Sequence, residues 1–210
     1  MNQLVIGLLP AKCVQRAVGL LVDAFRNDPI FCFHFPDPQL RGKVLELFFS
    51  DVVQAHMRFN HVYAAFDGEE VVGAAVWRPP GSAVSGLLAQ IRGLIMRYRL
   101  LALSPRIGKM LLQGFAKLET THPSMPHWYL FFIGIDAERR GHGLGYQLMA
   151  PVLRVADGDR VPCYLETPFP QTIPFYRKLG YEVVGEPRPF AGAPQLWAMK
   201  REPAPRSRAE

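Results

Sequence analysis

Cysteine is scarce. Three stand in 210 residues, Cys13, Cys32 and Cys163, and none falls into a Cys-x-x-Cys or Cys/His spacing. An odd, scattered set excludes a disulfide framework and a structural zinc site, leaving reduced thiols as the reading. Cys163 lies in an apolar, strand-like run and is expected as a buried small hydrophobe. Long apolar runs are missing as well, and Gly7 to Leu9 is too short a patch for a secretory segment. The expectation is therefore a cytoplasmic protein with no membrane partner. Basic runs interleaved with aromatics are absent too, so no nucleic-acid partner is expected. The formal charge of +6 and pI near 9.4 suit an anionic small ligand instead. Part of that excess, Lys200, Arg201, Arg206 and Arg208, sits in a Pro- and charge-rich end, and 201–210 is expected to be a disordered tail.

What remains is ordinary globular material: 49% hydrophobic and 20% charged residues, expected as one domain over residues 1–200. Gln3 to Leu8 reads as a strand. Pro10 opens a helix to about Phe25, with Val14, Val18, Leu21, Val22 and Phe25 on one face. Asn27-Asp28-Pro29 breaks it, Ile30 to Phe35 is aromatic-rich, and Gln39 to Met57 reads as a second amphipathic helix. Phe59 to Phe66 and Val71 to Trp77 flank Asp67-Gly68-Glu69-Glu70 as a hairpin. Gly86 to Leu118 carries helical periodicity broken at Ser104-Pro105. Trp128 to Ile135 is a nearly continuous apolar run, the pattern of a strand buried on both faces. Leu144 to Val155 and Ile173 to Leu179 read as helices, and Tyr164 to Thr167, Glu182 to Gly185 and Leu196 to Lys200 as strands. Strands and helices alternate, so the fold class is mixed α/β with helices on both faces of a sheet.

The stretch Ile133-Gly134-Ile135-Asp136-Ala137-Glu138-Arg139-Arg140-Gly141-His142-Gly143-Leu144-Gly145-Tyr146 joins a buried strand to a helix through a glycine-rich turn. Glycines at 141, 143 and 145 let a ligand approach the backbone. The unpaired N–H groups of a helix's first turn, with about half a positive charge from its dipole, receive phosphate. Arg139 and Arg140 add charge. Residue 148 is leucine, so Gly143 and Gly145 do not complete a dinucleotide fingerprint, and no Lys-Ser/Thr pair makes a Walker loop.

Downstream, Tyr164-Leu165-Glu166-Thr167 delivers a carboxylate on a strand, a Pro-rich loop follows, and a short helix carries Phe175-Tyr176 before stopping at Gly180. Phe175 and Leu179, four apart, are expected to face the core with Tyr176 turned away as a proton donor. A single tyrosine more commonly only packs, and a strand carboxylate equally pairs with arginine or caps a loop.

Together the two blocks resemble the GNAT superfamily of N-acetyltransferases. Arg140-x-x-Gly143-x-Gly145 resembles its acyl-CoA pyrophosphate motif, and Phe175-Tyr176-Arg177-Lys178-Leu179-Gly180-Tyr181 its C-terminal motif with a tyrosine acid. Within the superfamily the chain looks most like puromycin N-acetyltransferase and its uncharacterised relatives, through Ala24-Phe25 with Pro29, His127-Trp128-Tyr129-Leu130, and Leu165-Glu166-Thr167 leading to Pro174-Phe175-Tyr176. Ala137 replaces a common proline, and Thr172 stands where many members carry a cofactor-touching asparagine.

The resemblance implies a central, mostly antiparallel twisted sheet of six to seven strands, splayed where acyl-CoA binds. It implies acetyl-CoA as cosubstrate, no metal, and transfer to a primary amine of a small molecule by direct attack. The pyrophosphate would sit on Gly141, His142, Gly143, Leu144, Gly145 and Tyr146 beside Arg140, with pantetheine along Ile133, Gly134 and Ile135 and a contact from Thr172. Glu166 is the candidate base and Tyr176 the candidate acid. The protein would be a monomer or homodimer. An acyl-CoA-binding sensor or scaffold on the same fold, and a protein or peptide N-acetyltransferase, are the alternatives. The Pro-flanked hydrophobic segments Phe31 to Phe35 and Leu87 to Leu101 point toward a covered small-molecule cavity.

Overall fold

The computed structural model describes residues 4–81, 122–188 and 192–205. The helices expected in 86–118 lie outside the described residues, as does the acceptor-side reading placed on 87–101.

Seven strands form one sheet: β1 (Leu4–Leu8), β2 (Val62–Asp67), β3 (Glu70–Arg78), β4 (Trp128–Ile135), β5 (Cys163–Thr167), β6 (Tyr181–Gly185) and β7 (Trp197–Arg201), in the order β1-β2-β3-β4-β5-β7-β6. Every neighbouring pair is antiparallel except β4 with β5. The helices are α1 (Val14–Phe25), α2 (Pro29–His34), α3 (Pro38–Met57), α4 (Leu144–Asp159) and α5 (Ile173–Lys178). The break at Asn27-Asp28-Pro29 is also a start: buried Asp28 accepts from Ile30 N and Phe31 N and caps α2, as Asp37 caps α3 by accepting from Gln39 N.

α1 and α3 cover one face of the sheet, and α4 and α5 the other. Gly134 fits the first arrangement, because a Cβ there would stand 3.0 Å from Ala24 Cβ and from a Leu21 methyl; its missing side chain lets α1 lie close on β4. The expected strand over Trp128–Ile135 forms with one irregularity. Val76 pairs with Phe132 and Trp77 with Leu130, so Phe131 is an extra residue in a β-bulge. The bulge puts Phe131 and Phe132 on the same face, where Phe132 packs edge-on among Phe25, Phe48 and Phe49.

The chain stays packed past the expected end of the domain at Lys200. Arg201 closes β7, its guanidinium forms a bidentate pair with Asp157 at 2.6 and 2.8 Å, and Asp157 also accepts from Ala204 N at 2.7 Å. Residues 201–204, expected as part of a tail, are held by these contacts, and 206–210 lie outside the described residues. Cys163 is fully buried, as expected, and burial pushes its thiol up to about 12. No helix among the described residues is long and apolar enough to cross a membrane.

Candidate active site

The site begins where the sheet comes apart. β4 and β5 pair at Trp128–Cys163 and Tyr129–Tyr164, and there the parallel ladder ends. β4 runs on from Leu130 to Ile135 while β5 turns to pair along its whole length with β7. Among the described residues the β5-facing edge of β4 is left open beside the bulge at Phe131, a backbone edge able to pair with an extended ligand.

That edge leads to the glycine-rich turn. Gly141 (φ 81°) and Gly143 (φ 76°) both adopt the left-handed region, which explains their side-chain-free identity, and the space where a Cβ would stand at either is open. Gly143 precedes α4 and no side chain caps the helix. The first-turn N–H groups of Leu144, Gly145 and Tyr146 have no intrahelical partner by construction, while Arg140, Gly141, His142, Gly143 and Tyr146 are exposed. The residues present fit a pyrophosphate cradle. Two details differ from the sequence reading. Gly145 is reserved for packing: a Cβ there would lie 3.0 Å from Phe175 Cζ and 3.3 Å from the Ile135 Cδ1 methyl. Arg139 pairs with Asp67 on β2, so of the two arginines Arg140 stays with the turn, donating from Nε to Ile135 O at 3.2 Å.

Glu166 and Tyr176 sit on opposite faces of the sheet. Along β5, Cys163 and Leu165 face α4 and α5, whereas Tyr164 and Glu166 face away. Tyr176 belongs to the first side and is buried among Leu144, Leu148, Leu165, Leu179 and Tyr181. The expectation that it turns away from the core is therefore corrected. Tyr176 shares a face with Leu179 at i, i+3, while Phe175 is the half-buried ring that reaches across to Gly145. Burial pushes the Tyr176 phenol well above its ordinary value, so it stays protonated and retains a proton to donate.

Thr172 does not offer its hydroxyl outward. It donates to Phe169 O at 2.8 Å and lies 2.9 Å from Thr167 Oγ1, which accepts from Phe169 N at 3.2 Å. The ring staples the loop between β5 and α5. The Thr172 hydroxyl is thus engaged by its own loop, a local side-chain-to-backbone turn.

Around Glu166 lies a cluster that sequence reading assembled only in part. The Glu166 side chain is 5% exposed, and its Oε1 lies 3.3 Å from His122 Nε2, an ion-pair distance without hydrogen-bond geometry, so that oxygen has no hydrogen-bond partner among the described residues. His122 in turn contacts His127 and Arg78, each at 3.3 Å, and packs against Tyr129 and Tyr164 with centroids 4.4 and 4.9 Å away. Arg78 also covers the Tyr129 ring at 5.0 Å. His122 and Arg78 were missed; the available signal was two histidines five apart in a Pro-rich loop running into the central strand. Burial holds His127 below the ordinary histidine value, with His122 and Arg78 pulling the same way. Among the described residues no three or more His, Cys, Asp and Glu side chains cluster to hold a metal.

The open strand edge thus leads from the end of the β4–β5 ladder to the uncapped glycine turn. The sequence model of the Acetyltransferase (GNAT) family matches residues 22–181. The chain belongs to this family. An uncharacterised N-acetyltransferase of Schizosaccharomyces pombe is 26% identical over 212 residues, covering 95% of this chain and 84% of the relative. Among solved structures, a histone acetyltransferase HPA2 and related acetyltransferase from Corynebacterium glutamicum superposes with a TM-score of 0.68 at 23% identity, over 99% and 100% of the two chains. An agmatine N-acetyltransferase mutant in its apo form gives 0.66 at 13% identity, over 96% and 100%. The expected GNAT fold, with its seven-stranded, mostly antiparallel sheet, is thus the fold of this chain.

Proposed function

We propose that this GNAT protein is an acetyl-CoA-dependent N-acetyltransferase that acetylates a primary amine of a small molecule by direct attack. The observation that carries the reading is the β4–β5 ladder ending after two pairs, with its open edge running to an uncapped glycine turn. Main-chain N–H groups from Gly141 to Tyr146, with Arg140 and His142 beside them, would hold the pyrophosphate, and the open edge of β4 around Ile133, Gly134 and Ile135 the pantetheine. Acetyl-CoA supplies the thioester. Glu166 takes a proton from the amine, because only the neutral amine is nucleophilic. As the C–N bond forms and the C–S bond breaks, Tyr176 gives its proton to the leaving sulfur, from the opposite face of the sheet. The two groups act from the two sides of the splay, which keeps acid and base from neutralising one another.

A small-molecule acceptor is favoured by the buried, aromatic surroundings of Glu166, where Tyr129, Tyr164 and His122 leave a carboxylate with an unpartnered oxygen. An agmatine N-acetyltransferase that shares this fold acts on an amine of this size, which supports the reading. Thiol release from acetyl-CoA, measured against agmatine, tyramine and puromycin, tests the reading. Release that depends on an amine supports it; coenzyme A binding without turnover on any amine would identify a sensor instead.

A further inference from the structure

Two buried acceptor atoms stand at the two ends of one row of rings, and neither has a donor among the described residues. One is Glu166 Oε1. The other is Nε2 of His56, a residue of the last turn of α3 that is 6% exposed. His56 Nδ1 lies 2.8 Å from Val52 O. A carbonyl only accepts, so the ring hydrogen is on Nδ1, and Nε2, the end of the ring farther from the backbone, is a lone pair. Burial holds His56 below the ordinary histidine value, with Arg78 and Arg58 pushing the same way against the bond to Val52 O, so the lone pair persists at neutral pH. His56 leans on Phe131 with centroids 5.3 Å apart, Phe131 on Tyr129 at 5.5 Å, and Tyr129 on His122, the neighbour of Glu166, at 4.4 Å. A buried acceptor without a donor costs free energy that a bound donor recovers.

We propose that His56 Nε2 accepts a hydrogen bond from the far end of the acetyl acceptor, which makes that acceptor an amine carrying a second, neutral donor, a hydroxyl or phenol. This rests on the acetyl-transfer reading and assigns the acceptor's class. The amine lies at the Glu166 end, where the carboxylate takes its proton, and the apolar middle lies along Tyr129 and Phe131. Charge decides the kind of donor at the other end. Arg58 sits 4.7 Å over the ring of Phe59, which packs against His56, and Arg78 sits 5.0 Å over Tyr129. Both bring positive charge to the His56 end, so a second ammonium is repelled there. A carboxylate has no hydrogen to give to Nε2. A hydroxyl donates to Nε2 and carries no charge. His56 is thus a specificity-determining residue that touches the acceptor far from the reacting nitrogen.

The test is kcat/KM for matched amines in the wild type, His56→Phe and His56→Gln, with melting temperature measured on each protein. Tyramine is compared with phenethylamine, which lacks only the hydroxyl, and linear amino alcohols of increasing length with the alkylamines and diamines of the same length. The wild type should prefer the hydroxylated member of a pair by about tenfold or more, because a site built to bond a hydroxyl rejects the analogue without one. The amino alcohol should also exceed the diamine. In His56→Phe the preference should fall to about one. In His56→Gln, whose side-chain oxygen stands near the place of Nε2, part of it should return. A purely structural His56 would change all amines alike and leave the ratio as it was. An active wild type that prefers no hydroxylated amine, a preference for diamines, or a ratio kept by a folded His56→Phe overturns the inference and leaves the acetyl-transfer reading standing. A wild type that acetylates none of the amines overturns that reading and the inference with it.

Discussion

Gly145 and Phe175 touch. The two residues belong to motifs thirty positions apart, and the ring of Phe175 occupies the place where a side chain at 145 would stand, 3.0 Å from the built Cβ. The contact ties the phosphate-side helix α4 to α5, the element that carries Tyr176, so the cradle and the proton donor form one packed unit.

Gly145→Ala therefore tests that coupling. Alanine is the better helix former, but its methyl must push Phe175 aside, and overpacking of this kind costs about 1–3 kcal/mol. The expected result is a lower melting temperature and a lower kcat together, with both recovered when Phe175→Leu is added. A stable, fully active Gly145→Ala would show that α4 and α5 are not coupled through this contact.

Tyr176→Phe removes one oxygen and keeps the packing. Its melting temperature and coenzyme A affinity should match the wild type, while kcat falls by about ten- to a hundredfold. Because burial raises the phenol's proton affinity, its ionisation should not limit wild-type activity below its ordinary value of 10.0. A loss of wild-type turnover near pH 8 that disappears in Tyr176→Phe would contradict this assignment.

Much of this was legible in the sequence, for a physical reason. The glycines at 141 and 143 and the periodic apolar residues in α1 are local signals, and each formed the element expected of it, whereas Asp28, which reads from sequence only as a break, also caps α2. What stayed hidden depends on partners distant in sequence. The bulge at Phe131 left no mark, because a strand apolar on both faces hides which residue changes face. Tyr176 reads as outward on an i, i+4 count from Phe175 to Leu179, but in a helix of six residues the sheet beneath decides which face is core. His122 and Arg78 belong to different segments and meet only when β3, β4 and the loop at 122–127 come together.

The end of β7 carries an acid-sensitive lock. Arg201 hydrogen-bonds Asp157 and pulls its pKa below 3.8, the model-compound value, aided by Ala204 N, although burial opposes the shift. A depressed carboxylate adds stability that is present above its unfolded pKa and is lost as pH falls through the folded one. Asp157→Asn should lower stability by about 1–3 kcal/mol at neutral pH, the range for charge-assisted hydrogen bonds. The difference from wild type should shrink as pH falls below 3.8. A difference that stays constant down to pH 2 would place the stabilisation elsewhere.

Calorimetric titration with coenzyme A, of the wild type and of Gly143→Val, bears most directly on the whole account. Gly143 sits at φ 76° with open space where its side chain would be, so valine there strains the turn and covers the amides of Leu144, Gly145 and Tyr146 without filling any packed contact. The account predicts saturable heat for the wild type and none for a Gly143→Val protein that still melts cooperatively. Equal binding by both, or no heat from either, would contradict it.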